Sequence, residues 1–132
     1  MARGDFDEGS DIDLLVVVEG LPVDAGSRIR MTVPLRLKLK SLESYRRAEE
    51  ACLPTLMSEV ILTPEEVKRH PPILLDLTEE GVILYDRGGF LREELEALKM
   101  RLRELGARRV KGREGWYWLL KPDAKLGEVV RI

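Results

Sequence analysis

Seven consecutive residues, Ile12-Asp13-Leu14-Leu15-Val16-Val17-Val18, set the tightest limit on what this chain can fold into. The run is aliphatic on both alternations and is ended by Gly20 and Pro22, the pattern of a strand buried on both faces. Such a strand needs a neighbour on each side and helices above and below it. A chain of 132 residues, 44% hydrophobic and 35% charged, has material for one such core under an ionic surface. We therefore expect a single α/β domain with a small mixed sheet flanked by helices.

The rest of the chain supplies the other layers. Across residues 27–51 the apolar positions Leu35, Leu39, Leu42 and Tyr45 recur at helical spacing, with Pro34 either starting the main helix or kinking a longer one. A short strand is expected around Met57–Leu62. Thr63-Pro64-Glu65-Glu66 then reads as a capped helix start, with Thr as cap and Pro in the first turn. His70-Pro71-Pro72 breaks that turn, and Ile73–Glu80 reads as a further helix. Gly81-Val82-Ile83-Leu84-Tyr85-Asp86 has strand composition, with Arg87-Gly88-Gly89 as its turn. Leu91, Leu95, Leu98, Leu102 and Leu105 step by four and three, an amphipathic helix closed by Gly106. Residues 107–132 form a basic, aromatic tail that is expected to pack on the domain or on a partner. Its 116–122 stretch is strand or irregular, and 127–130 is a candidate last strand.

Charge is polarised along the chain. Residues 1–24 carry seven acids against Arg3, while residues 99–132 carry ten bases against four acids. An acidic start attracts cations, and a basic end suits phosphates or an acidic partner surface. Cys52 is the sole cysteine, so no intrachain disulfide forms and a reducing cytoplasm is the natural setting. It reads as a small core hydrophobe. No apolar stretch reaches membrane-spanning length, so no membrane partner is expected. Abundant Glu, Arg and Lys match a pattern seen in heat-stable proteins.

The segment that carries chemistry is Gly9-Ser10-Asp11-Ile12-Asp13-Leu14. Residues two apart on an extended chain share a face, with Cα atoms about 6–7 Å apart. Asp11 and Asp13 therefore point the same way from the mouth of the strand. Two close carboxylates repel unless a cation lies between them. Magnesium, held by carboxylates and substrate phosphates, relieves that penalty. Two such ions about 4 Å apart stabilise both the entering and the leaving oxygen of a phosphoryl displacement. A calcium loop starting at Asp5 fits less well, because its twelfth position is Val16, inside the strand.

The stretch from Ala2-Arg3-Gly4 to Ser10-Asp11-Ile12-Asp13-Leu14 resembles the active-site segment of the minimal nucleotidyltransferases, members of the DNA polymerase beta-like superfamily. Thr63-Pro64-Glu65-Glu66 and Glu80-Gly81-Val82-Ile83-Leu84-Tyr85-Asp86 are similar to the later body of such domains, archaeal ones especially. The resemblance implies metal-dependent transfer of a nucleoside monophosphate from a nucleoside triphosphate to an acceptor hydroxyl. Asp11 and Asp13 would bind the metal, two Mg2+ ions being expected with the triphosphate bound, and Arg3, Gly9 and Ser10 would lie beside the triphosphate. Glu59 stands where the family places a third catalytic carboxylate, although as Glu rather than Asp; Asp76 is a rival by local pattern. The family's Gly-Ser phosphate-binding element would fall just before Met1. The resemblance therefore implies a chain lacking the usual first strand and helix, with impaired activity. It also implies an alternative, an inactive module of the same fold that binds a helical partner subunit, antitoxin-like. Loss of a first strand would bare one edge of the 12–18 strand, so a homo-oligomer is expected.

Other features read more plainly. His70, the only histidine, rules out a His-based metal cluster and reads as a loop residue. Trp116, Tyr117 and Trp118 lie among Arg108, Arg109, Lys111, Arg113 and Lys121. Aromatics interleaved with bases can stack nucleic acid bases, but docking on a core or partner is the favoured expectation.

Overall fold

The computed structural model describes residues 10–113 and 115–132. Over these the chain is mixed α/β, with five helices, one pair of parallel strands and one pair of antiparallel strands. It divides into two compact units, residues 1–67 and 68–132.

The first unit runs β1 (Ile12–Val17), α1 (Ala25–Lys40), α2 (Glu43–Glu50), β2 (Met57–Leu62) and α3 (Pro64–Val67). β1 and β2 pair in parallel with Ile12 opposite Met57, Asp13 opposite Ser58 and Leu14 opposite Glu59. Two helices span the crossover, as parallel neighbours require. Asp24 caps α1 by accepting from the Ser27 amide at 2.7 Å. Hydrogen bonding from Ser27 holds the Asp24 carboxyl below its ordinary range. Pro34 lies inside α1 and does not begin it, and α1 ends at Lys40 before the separate α2. The expected capping box forms. The Thr63 hydroxyl accepts from the Glu66 amide at 3.2 Å, and the Glu66 carboxylate accepts from the Thr63 amide at 2.8 Å. A cap of this kind is worth about 1 kcal/mol.

The helix α1 is built inside out. Arg28, Thr32, Arg36 and Leu39 occupy its better-covered side. Arg28 donates to the carbonyls of Pro22 and Ile61 at 2.6 and 3.1 Å and grips Glu66 with both Nη atoms at 2.7 and 3.0 Å. Ile29, Met31, Val33, Leu35 and Leu37 are left exposed, Leu35 and Leu37 each by 66%.

The second unit runs α4 (Ile73–Glu80), a 3₁₀ turn at Arg87–Gly89, α5 (Phe90–Glu104), β3 (Arg108–Lys111) and β4 (Trp116–Leu119). Its core is the packing of α4 against α5. Leu74, Leu75 and Thr78 are buried on one helix, and Leu95, Leu98 and Leu102 on the other. The 3.6-residue spacing of those leucines dictates the arrangement. Asp86 accepts from the amides of Leu91 and Arg92 at 3.1 and 3.0 Å and so satisfies the start of α5. β3 and β4 form an antiparallel hairpin, with Arg109 opposite Trp118 and Lys111 opposite Trp116.

Four expectations need correcting. Residues 81–86 form no strand, and Val82, Leu84 and Tyr85 are exposed. Without that element the described strands make two separate pairs in place of one mixed sheet. Residues 127–130 are likewise not a strand, whereas Arg108–Lys111 is. Cys52 is exposed, with φ 53°, in the turn after α2, so it is no core residue.

Candidate metal site and its surroundings

The local reason for a site at β1 is the abrupt change from acid to aliphatic residues. Asp11 stands one residue before the strand and Asp13 is its second residue; both are exposed. The aliphatic run behind them is drawn into the sheet, and the Ile12 amide is fixed to the Leu56 carbonyl at 2.8 Å. Ser10, just before the pair, is half-buried. Arg3 and Gly9, expected beside a triphosphate, lie outside the described residues.

Parallel register decides which side chains join the pair, because residues opposite one another share a face. Asp13 faces the same way as Ser58, which is also exposed. Glu59 is opposite Leu14 and therefore belongs to the other face, the one covered by α1. There Arg36 takes it as a two-pronged partner. Arg36 Nε reaches Glu59 Oε1 at 2.6 Å, and Nη2 pairs with Oε2. The Glu59 side chain is only 7% exposed. The register thus puts Asp13 and Ser58 on one face of the pair and Glu59 on the other, where Arg36 holds it. Sequence order located β2 correctly, but one residue of register sends its acid to the wrong side.

Asp76 lies on α4 in the second unit, accepts the Trp118 indole N–H at 3.0 Å and stands 3.6 Å from Arg109 Nη2. His70 sits in a left-handed turn, φ 48°, with Nε2 3.8 Å from Glu94 Oε2. Sequence reasoning missed the two α1 arginines as organisers of the first unit. Their signal was present in the polar series Arg28, Thr32, Arg36 at four-residue steps.

The donors at β1 suit a hard cation. Both are carboxylates, with room for solvent around them, and the spacing lets one ion neutralise both. No group of three or more His, Cys, Asp or Glu residues gathers into a metal-holding cluster among the described residues. An ion held by Asp11 and Asp13 would need water or phosphate oxygens to complete its shell, as Mg2+ commonly does.

No protein-family model matches the chain, and neither a curated protein nor a solved structure matches it. Among the described residues no helix is long and apolar enough to cross a membrane.

Proposed function

We propose that the chain is a nucleotidyltransferase-type domain in which Asp11 and Asp13 hold Mg2+ against the phosphates of a nucleoside triphosphate. The observation that carries this reading is the placement of two exposed carboxylates, two residues apart, at the mouth of β1. The aliphatic remainder of β1 and its pairing with β2 give that pair a rigid base. The reaction would be attack of an acceptor hydroxyl on the α-phosphorus of the triphosphate with release of pyrophosphate. Asp11 and Asp13 would hold the cation, which would supply neutralisation of the charge that develops on the phosphates. Ser10 adjoins the pair in sequence and is the nearest hydroxyl to it along the chain.

Titration with Mn2+, followed by electron paramagnetic resonance, is the direct test. Wild-type chain should take up the ion, and Mg2+ should displace it. Asp11→Asn or Asp13→Asn should each weaken uptake at least tenfold, with the circular dichroism spectrum unchanged because both side chains are exposed. Equal Mn2+ affinity in wild type and both variants defeats the reading.

A second reading has an observation of its own. Glu59 is spent on Arg36, and α1 exposes Ile29, Met31, Val33, Leu35 and Leu37 beside the bases Arg30, Lys38 and Lys40. Both fit an inactive module of the same fold that covers its surface with a helical partner subunit. A groove of about 290 Å³ runs between α1, α2 and the start of β2, lined by Val33, Leu37, Tyr45, Leu56 and Met57. Five bases and no acid on α1 make an acidic partner helix the complementary one. Self-association is the other way to cover this surface, together with the β1 edge, which has no strand partner among the described residues. Transfer of labelled nucleotide to any acceptor hydroxyl favours the enzyme. Cation uptake without transfer favours the module. Sedimentation as a monomer at every concentration excludes the homo-oligomer.

A further inference from the structure

The hairpin β3–β4 has an anchored end and an open end. Cross-strand register puts Arg109, Trp118, Lys111 and Trp116 on one face, and Arg108, Leu119, Val110 and Tyr117 on the other. Arg109 and Trp118 are tied down. Arg109 pairs with Glu80 and stands 3.6 Å from Asp76, and Trp118 gives its indole N–H to Asp76 at 3.0 Å. Two carboxylates of α4 thus hold the hairpin to its own unit.

The open end is different. Trp116 is 51% exposed and Tyr117 54% exposed. Arg109 Cζ and Lys111 Nζ lie 5.2 and 5.9 Å from the Trp116 ring centroid, close enough for cation–π attraction. Tyr117 packs against the turn at Gly112, where an added Cβ would come 3.4 Å from its Cε1. Both rings are therefore oriented by packing while half their surface stays in water. Arg108, Lys111 and Arg113 are exposed and make no ion pair with any described residue. Aromatic surface left in water is ordinarily a docking patch for an apolar partner. Here Trp116 is bordered by Lys111, which makes no ion pair with any described residue, and an apolar partner would have to desolvate that charge. A flexible polyanion with flat rings of its own meets both demands.

We propose that hairpin β3–β4 binds single-stranded nucleic acid through the face that carries Trp116, with a base stacking on that ring and phosphates met by Lys111 and Arg113. Stacking requires bases that are free of a duplex, and it is tolerant of sequence because every base has a π face. The site is independent of Asp11 and Asp13, so it stands whether or not the chain transfers nucleotides.

The test uses the full chain, oligo(dT) and oligo(U) as probes, and tryptophan fluorescence as the readout. Either oligonucleotide should quench the emission saturably and more tightly than a duplex or heparin of equal charge. Trp116→Ala should weaken binding about tenfold, whereas Tyr117→Ala, on the other face, should leave it close to wild type. Lys111→Gln with Arg113→Gln should flatten the dependence of affinity on salt, by about 0.7 in log–log slope for each phosphate left without its basic partner. The charge pair provides a check that does not depend on the hairpin tolerating removal of an aromatic. The proposal is overturned if duplex or heparin binds as tightly, or if Trp116→Ala binds like wild type. Binding of phosphatidylserine vesicles in place of either oligonucleotide overturns it equally.

Discussion

Replacing Arg36 by alanine should cost the fold about 2–3 kcal/mol, and the double change Arg36→Leu with Glu59→Leu should cost less. The Glu59 side chain is 7% exposed, and Arg36 is its two-pronged partner. Without the guanidinium, that carboxylate is left desolvated and unpaired. Breaking a fully buried pair costs about 3–5 kcal/mol, and Arg36 at 41% exposure lies below that range. Removing both charges removes the penalty and adds apolar packing between α1 and β2. Urea unfolding of the single and double variants measures both quantities. Neither variant should alter Mn2+ uptake, because Glu59 lies on the face of the sheet opposite Asp13. Loss of uptake in Glu59→Gln to the extent seen in Asp13→Asn would return Glu59 to the metal site.

Leu98→Ala should be the most damaging single change in the second unit, at about 3–4 kcal/mol. Leu98 is 0% exposed near the centre of α5, and Leu74, also 0% exposed, lies in the first turn of α4. Truncation removes the transfer energy of the leucine and leaves a cavity that two helices cannot close without disturbing the packing on either side. Domain stabilities are about 5–15 kcal/mol, so such a loss takes much of the total. Leu98→Met, which conserves volume, should cost under about 1.5 kcal/mol. Thermal unfolding followed at the helical signal compares the two. Leu35→Ser offers the contrast. At 66% exposure it should move the transition by less than about 0.5 kcal/mol, and a large loss there would mean that the outward side of α1 is covered.

Legibility followed locality. The α4 and α5 spans, β2, and the Thr63–Glu66 box came straight from the residues, since each is decided within one or two turns of chain. Residues 81–86 have strand composition but no strand neighbour among the described residues, and a strand exists only by pairing. β3 escaped notice for the converse reason. Arg108-Arg109-Val110-Lys111 has little strand character of its own, and it is extended because Trp116–Leu119 pairs with it. From Arg28 to Lys40 basic and apolar residues largely alternate, a period-two pattern that helical winding scatters round the axis. The leucine spacing announced a helix correctly but could not say which side would face the sheet. The acid pair was legible as a pair. What could not be read was register, and register alone separates Glu59 from it.

The leucines on the outer side of α1 share their helix with Arg28, Arg30, Arg36, Lys38 and Lys40. Two copies approaching through that helix bring greasy patches and like charges together at once, and at low ionic strength repulsion holds them apart. Salt shortens the reach of that repulsion to about 10 Å at 0.1 M and leaves the attraction of oily surfaces untouched. Any self-association through that helix should therefore be weakest in dilute buffer and strengthen as salt is added, which sedimentation at several ionic strengths measures.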